Sequence, residues 1–119
     1  MVAKPIPATG GAAYIPDAGD IVWIGLDPVQ GHEQAGHRPF FVLSPRAYNQ
    51  KTGLLVGCAC TRQTKGYPFE VALPDPKPSV VLADQIRTLD WRARRASLKA
   101  RVPAEVLGAV RDALAALIL

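Results

Sequence analysis

The sequence predicts one mainly β domain, a set of short antiparallel strands closed by a C-terminal helix. Three observations carry this. Apolar runs of strand length recur along the chain, separated by Gly, Pro, Asn and Asp turn signals. Sustained helical periodicity is confined to the segment after Pro103. With 119 residues, 49% of them apolar, the chain can build one hydrophobic core but not two. Short strands that read as buried on both faces close naturally into a small barrel.

The elements follow in order. Residues 1–16 are rich in Ala, Pro and Gly and read as a flexible tail ahead of a single domain, 17–119. Pro16-Asp17-Ala18-Gly19-Asp20 is a turn signal that launches a first strand, about Ile21 to Leu26. Its apolar run lacks strict alternation, which predicts cover on both faces. Asp27-Pro28 ends it. A polar stretch, Gly31-His32-Glu33-Gln34-Ala35-Gly36-His37-Arg38-Pro39, leads into a second strand, about Arg38 to Leu43. Pro39 cannot donate to a ladder and belongs at a strand start or an edge. Ser44 to Gln50 reads as one helical turn, with Ser44 as N-cap and Pro45 at the first helical position.

Leu54 to Thr61 is a third strand and Tyr67 to Leu73 a fourth. Ser79 to Ala83 is a fifth, which Gln85 to Leu89 either continues or bends away from. Ala96 to Val102 is a further short strand. The last helix has Pro103 at its first position and Glu105 complementing its dipole. Val106, Val110, Leu114 and Leu117 form its apolar stripe, widened by Leu107 and Ile118. Ala115, Ala116 and Leu119 are left over for a second contact, such as a dimer partner.

No stretch has the apolar length to cross a bilayer and the N-terminus has no signal pattern, so a cytoplasmic protein is expected. The net charge of +4 and pI of about 9.4 suit a polyanionic partner. The charge is concentrated: Arg87, Arg92, Arg94, Arg95, Lys99 and Arg101 face one acid, Asp90. That is either a nucleic-acid footprint or an exposed strand pair solubilised by charge. Cys58 and Cys60 point to the same side of a strand, where a disulfide would be strained. With His32 and His37 they do not match zinc-binding spacings. Two buried free thiols are expected, and neither a metal nor a cofactor.

RNA cleavage through the ribose 2′-hydroxyl needs a proton acceptor, a proton donor for the leaving 5′-oxygen, and a cation for the crowded phosphate. The polar stretch offers His32, Glu33, His37 and Arg38, the third strand offers Thr61, and the loop after it offers Gln63 and Lys65. These converge if the strand ends meet at one barrel mouth. The bland alternative is a solvated hairpin loop.

Several motifs resemble one family. Gly-Asp-Ile-Val-Trp, ending at Trp23, precedes the Gly31 to Pro39 stretch and Val42-Leu-Ser-Pro45. Further on stand Thr61-Arg-Gln-Thr-Lys-Gly-Tyr-Pro-Phe-Glu-Val71, Leu82-Ala-Asp-Gln-Ile86 and Trp91-Arg-Ala-Arg94. Together, from about Pro16 to the end, they are similar to the MazF and PemK/Kid toxins of type II toxin–antitoxin pairs.

The resemblance implies an SH3-like barrel that forms homodimers. It implies a ribosome-independent, sequence-specific endoribonuclease that cuts single-stranded RNA, leaves 2′,3′-cyclic phosphate and 5′-hydroxyl ends, and so blocks translation and growth. It also implies a MazE-like antitoxin that wraps the dimer, with operator DNA reached only through that antitoxin. Catalysis is expected at Arg38 and Thr61, with Glu33 in support. RNA contacts are expected at His32, Gln34, His37, Gln63, Lys65, Asp84, Gln85, Arg87, Arg92 and Arg94. Arg62 and the Pro74 to Pro78 turn differ from the family pattern in detail, which leaves the cleavage sequence open.

Side-chain chemistry qualifies these roles. Arginine is a poor base, so Arg38 is better suited to clamping a phosphate through its planar fork and protonating late. Thr61 would position the reacting groups. Glu33 and His37 are the more ordinary bases, and the choice stays open. His37 also reads as a turn cap, and His32 as exposed or in touch with RNA. Trp23 and Trp91 read as core or interface, with base stacking by Trp91 a lesser reading. Asp84 and Gln85 either meet a base edge or close the barrel through backbone bonds. Two rivals remain: a barrel toxin that poisons gyrase, like the CcdB group, and a plain nucleic-acid-binding module.

Overall fold

Turn chemistry fixes where the sheet begins. Gly19 holds φ 92°, a left-handed conformation that glycine adopts without strain. Beside it Asp20, almost fully buried, accepts hydrogen bonds from the Tyr14 hydroxyl and the Asp17 N–H and pairs with Arg101 at 3.4 Å. This knot aims the chain into β1, Asp20–Gly25. A computed structural model of the chain describes residues 14–26, 37–74 and 78–119. Of the expected tail, only its last three residues fall within these. Tyr14 and Ile15 pack on the core and Pro16 is fully buried.

The remaining elements are β2 (His37–Val42), α1 (Arg46–Thr52), β3 (Leu54–Thr61), β4 (Glu70–Ala72), β5 (Val80–Asp90), β6 (Ser97–Arg101) and α2 (Ala104–Ile118). All strand pairs are antiparallel, in the spatial order β4-β5-β3-β2-β1-β6. This is the mainly β, small-barrel arrangement with a C-terminal helix. Its ladder stays open between the β4 and β6 edges. Among the described residues no helix is long and apolar enough to cross a membrane.

Both faces of the sheet are covered, as the unalternated strands predict. On one side Val22, Ile24, Phe40, Val42, Leu55, Leu89 and Trp91 form a core. On the other, Ile21, Phe41, Cys58, Val81 and Ala83 pack under Val110 of α2. Neighbouring residues of β1 and β2 therefore serve opposite cores, as strand geometry requires. Val106, Leu107 and Ala113 flank Val110 on this second core. Leu117 and Ile118, expected on the helix's packed stripe, are exposed instead, with Leu119 beyond them.

The helix starts also differ from expectation. Pro45 and Pro103 sit one position earlier than predicted, as extended N-cap residues. Ser44 does not cap α1. Its hydroxyl donates to the Asn49 side-chain oxygen at 2.6 Å and accepts the Val56 N–H at 2.8 Å. Asn49 has no exposed surface. Its amide nitrogen donates to the Pro16 carbonyl at 2.8 Å and the Ser44 carbonyl at 3.0 Å. Its own carbonyl accepts from Trp91 Nε1 at 2.9 Å and from the N–H of Gly53, the left-handed residue that ends α1. Gly57 is required for a different reason: a Cβ there would lie 2.1 Å from the Phe41 carbonyl and 2.7 Å from the Phe40 ring.

Two substitutions test this framework by chemical denaturation. Asn49→Ala removes the side-chain partner of the Pro16 carbonyl and of the Ser44 hydroxyl and carbonyl, and should cost about 2–3 kcal/mol, the scale of unsatisfied buried polar groups. Gly57→Ala should destabilise by a comparable amount, about 1–3 kcal/mol or more, because backbone has to move. Stability within about 0.5 kcal/mol of the parent, the range of neutral surface changes, would contradict either account.

Candidate active site

β2 and β3 pair with Phe40 opposite Ala59. Continued two residues toward the open end, that register brings Arg38 level with Thr61. Directly opposed residues on an antiparallel pair share a face. Both residues line one cleft of about 600 Å³, together with Trp23, His37, Gln63 and Lys99. Arg38 and His37 are exposed at the start of β2, where they pair with Ile24 and Gly25 of β1. The Thr61 hydroxyl accepts the Gln63 N–H at 3.1 Å. This bond fixes the oxygen, and the hydroxyl proton is left to donate elsewhere.

A second, smaller cleft of about 250 Å³ shares Thr61 and Gln63 as a common wall. It contains Lys65, Asp84 and Gln85. The acid and the amide of β5 expected near RNA, Asp84 and Gln85, reach it because of an irregularity in that strand. Cys58 pairs with Ile86 and Cys60 with Val81, so between these pairs one residue of β3, Ala59, faces four of β5, Leu82 to Gln85. The extra residues are released from regular pairing, and Asp84 and Gln85 are exposed within that stretch. Thus Arg38, Thr61, His37, Gln63, Lys65, Asp84 and Gln85 occupy two adjoining clefts.

The other expected residues stand elsewhere. His32, Glu33 and Gln34 lie outside the described residues. Arg87 is exposed on β5 opposite Gly57, away from both clefts. Arg92 lies over the Trp91 ring at 4.6 Å and donates to the Gln50 carbonyl at 3.2 Å. Arg94 donates to the carbonyls of Gly25 and Leu26 at 2.7 and 3.1 Å. Trp91 itself is core. Much of the basic run is therefore bonded to the protein, while Lys99 reaches the cleft.

Two cleft residues escaped the sequence reading. Trp23, read as core or interface, is 39% exposed and so not core, and the Lys99 ammonium sits 5.2 Å from its ring centroid. The alternation was present in the sequence: Val22 and Ile24 are buried on one face and Trp23 falls on the other. It was masked by Ile21, whose neighbours in β6 shift register at that point.

Both cysteines are free, but only Cys58 is buried as expected; Cys60 is half-buried and lines the larger cleft. Burial pushes the Cys58 thiol up to about 11, with the Asp84 charge adding to the effect. Burial pushes Cys60 up to about 12, offset in part by Lys99. Neither thiol is an activated nucleophile. Among the described residues no three His, Cys, Asp or Glu side chains gather as a metal site.

The profile of PemK-like, MazF-like toxins of type II toxin–antitoxin systems matches residues 17–118. The chain belongs to this family. It is 49% identical over 106 residues to the endoribonuclease toxin MazF of Escherichia coli K12, covering 88% of this chain and 96% of that one. The crystal structure of MazF from Deinococcus radiodurans is 54% identical, with TM-score 0.78 over 88% of this chain and 97% of that one. The MazE–MazF crystal structure from the same organism is 50% identical, with TM-score 0.77 over 88% and 96%.

In this toxin both thiols should react slowly, Cys58 as packing and Cys60 as a protonated thiol on the cleft wall. At pH 8 iodoacetamide should label the folded toxin at least about tenfold more slowly than the unfolded chain, because the thiolate is the reactive form. Both thiols titrate higher folded than unfolded, so their contribution to stability is complete below about pH 9. It falls as the pH climbs toward 11–12. Urea midpoints measured across that range check the sign, and rapid labelling at pH 8 would refute the burial.

Proposed function

We propose that this type II toxin, an endoribonuclease, cuts single-stranded RNA in the cleft between Arg38 and Thr61 by 2′-hydroxyl attack. The reaction uses no metal and leaves 2′,3′-cyclic phosphate and 5′-hydroxyl ends. One observation carries the reading: the pairing of β2 with β3 delivers an exposed guanidinium and an oriented hydroxyl to one cleft. A planar guanidinium matches two phosphate oxygens and is most useful where charge accumulates in the transition state. The Thr61 proton is free to bond the phosphate or to hold the 2′-oxygen in line. Arg38 protonates the leaving 5′-oxygen late in the step. The 2′-hydroxyl proton goes to Glu33 or His37, of which His37 is on the cleft wall.

Lys99, Lys65 and Arg62 add positive charge along the two clefts, which favours a polyanion. Asp84, Gln85 and Gln63 supply the donors and acceptors that read base edges. Arg87, Arg92 and Arg94 stand outside the clefts, where RNA beyond the cut site would meet them. The toxin acts as a cytoplasmic homodimer, and the exposed Ile86, Leu117, Ile118 and Leu119 are apolar surface that a second subunit would cover. Its natural inhibitor is a MazE-like antitoxin, as the MazE–MazF relatives support.

The test is incubation of purified protein with long single-stranded RNA in a chelator, followed by end mapping. Discrete cuts with cyclic-phosphate ends are expected. Retarded but uncut RNA would indicate a binding module, and trapped gyrase–DNA complexes a poison. Arg38→Ala should lower kcat by about 10²–10³-fold, the usual effect of removing one transition-state donor. Arg38→Lys should recover little, since the planar fork is lost. Thr61→Val should cost about tenfold, the worth of one hydrogen bond. Near-normal cutting by folded Arg38→Ala would sink the assignment.

A further inference from the structure

We propose that Glu70 is a positioning residue that sets the toxin's discrimination among RNA sequences, by clasping the loop that walls the second cleft. The proposal rests on the RNA-cutting reading above and names what reads the sequence there. Glu70 opens β4, and its backbone is fixed by pairing with Leu82 of β5. Its N–H also donates to the Tyr67 carbonyl at 3.1 Å. From this anchored position the carboxylate reaches back across the loop. One oxygen accepts the Gly66 N–H at 3.0 Å and the Lys65 N–H at 3.2 Å, and the other accepts the Lys65 N–H at 3.0 Å.

Two consecutive N–H groups converge on one anion, an arrangement that backbone nests provide. Gly66 makes it possible, because its φ of 75° turns its N–H to the same side. The loop so held is exposed from Arg62 to Pro68, with little packing of its own. Lys65 and Tyr67 of this loop, with Phe69 where it rejoins the core, line the second cleft together with Asp84 and Gln85. The Tyr67 and Phe69 rings support one another, with centroids 5.3 Å apart.

A nucleobase entering this cleft meets an aromatic wall on one side and hydrogen-bonding side chains on the other. Discrimination between bases needs those two walls at fixed separation, because a misplaced partner is a lost hydrogen bond. The clasp sets the loop wall in place before RNA arrives, which spares ordering entropy on binding. The Glu70 charge acts in the opposite direction. A carboxylate beside a polyanion weakens binding, so removing it should tighten RNA binding by electrostatics alone. Loosening of the loop should weaken binding. The sign of the effect separates the two.

The test compares Glu70→Ala and Glu70→Gln with the parent toxin in two measurements. Amide hydrogen exchange is read at Lys65 and Gly66, and cleavage kinetics on an RNA carrying the mapped cut sequence and on single-base variants of it. In Glu70→Ala the two amides should exchange about tenfold faster, with β3 and β5 unchanged. KM should rise about tenfold while kcat at saturating RNA stays within about threefold, and the preference for the matched RNA should narrow. Glu70→Gln keeps an acceptor oxygen and should fall between. Unchanged exchange at Lys65 and Gly66, a KM that holds or falls, or a loss confined to kcat would overturn the proposal. Uncut RNA with the parent toxin would overturn the nuclease reading instead, and the exchange measurement would still judge the clasp.

Discussion

Asn49 is the group on which the rest depends. It has no exposed surface, yet its side-chain amide satisfies the carbonyl of Pro16 and the turn at Ser44, while its backbone carbonyl holds the indole of Trp91. Burying an amide so completely is tolerable only when its partners are all present. That requirement makes the closed end of the β2–α1–β3 unit nearly unique in geometry. The open end of the same unit carries Arg38 and Thr61. A one-residue slip between β2 and β3 would send every side chain to the opposite face. A polar knot at one end of a strand pair thus holds the alignment of Arg38 and Thr61 at the other.

The sheet transmits this alignment because it is packed on both sides. Phe40 serves one core and Phe41 the other. Gly57 lets the two strands and the Phe40 ring approach to contact distance. A dense interior of this kind does not deform gradually. The clefts can therefore be shallow and solvent-facing without being ill-defined.

How much was legible in the residues follows from the range of each interaction. β3 was read to its limits, Leu54 to Thr61, because a continuous apolar run bounded by Gly53 and a polar loop is a local signal. The fourth strand was read too long, since Tyr67 to Phe69 are apolar for the sake of a turn and a cleft wall rather than a ladder. Ser44 looked like a helix cap because caps and β-turn anchors use the same hydroxyl; only Val56, twelve residues on, distinguishes them. Motif resemblance singled out Arg38 and Thr61, but their meeting depends on strand register. Trp23 and Lys99 meet across the β1–β6 pair, which no local pattern announces. The basic run misled in a related way. Arg92 and Arg94 are spent on carbonyls and a ring, so counting cations overstated the surface left for a polyanion.

The bond between Arg94 and the carbonyls of Gly25 and Leu26 has a consequence for how the cleft wall is held. It posts the last described residues of β1 in place, and the Gly25–His37 pair fixes where β2 resumes. The chain between these posts must cross only the short gap separating two antiparallel strands. A guanidinium that counts as a loose cation in the sequence is thus a bracket: from the turn after β5 it holds the end of β1, whose Ile24 and Gly25 pair with Arg38 and His37 at the cleft wall.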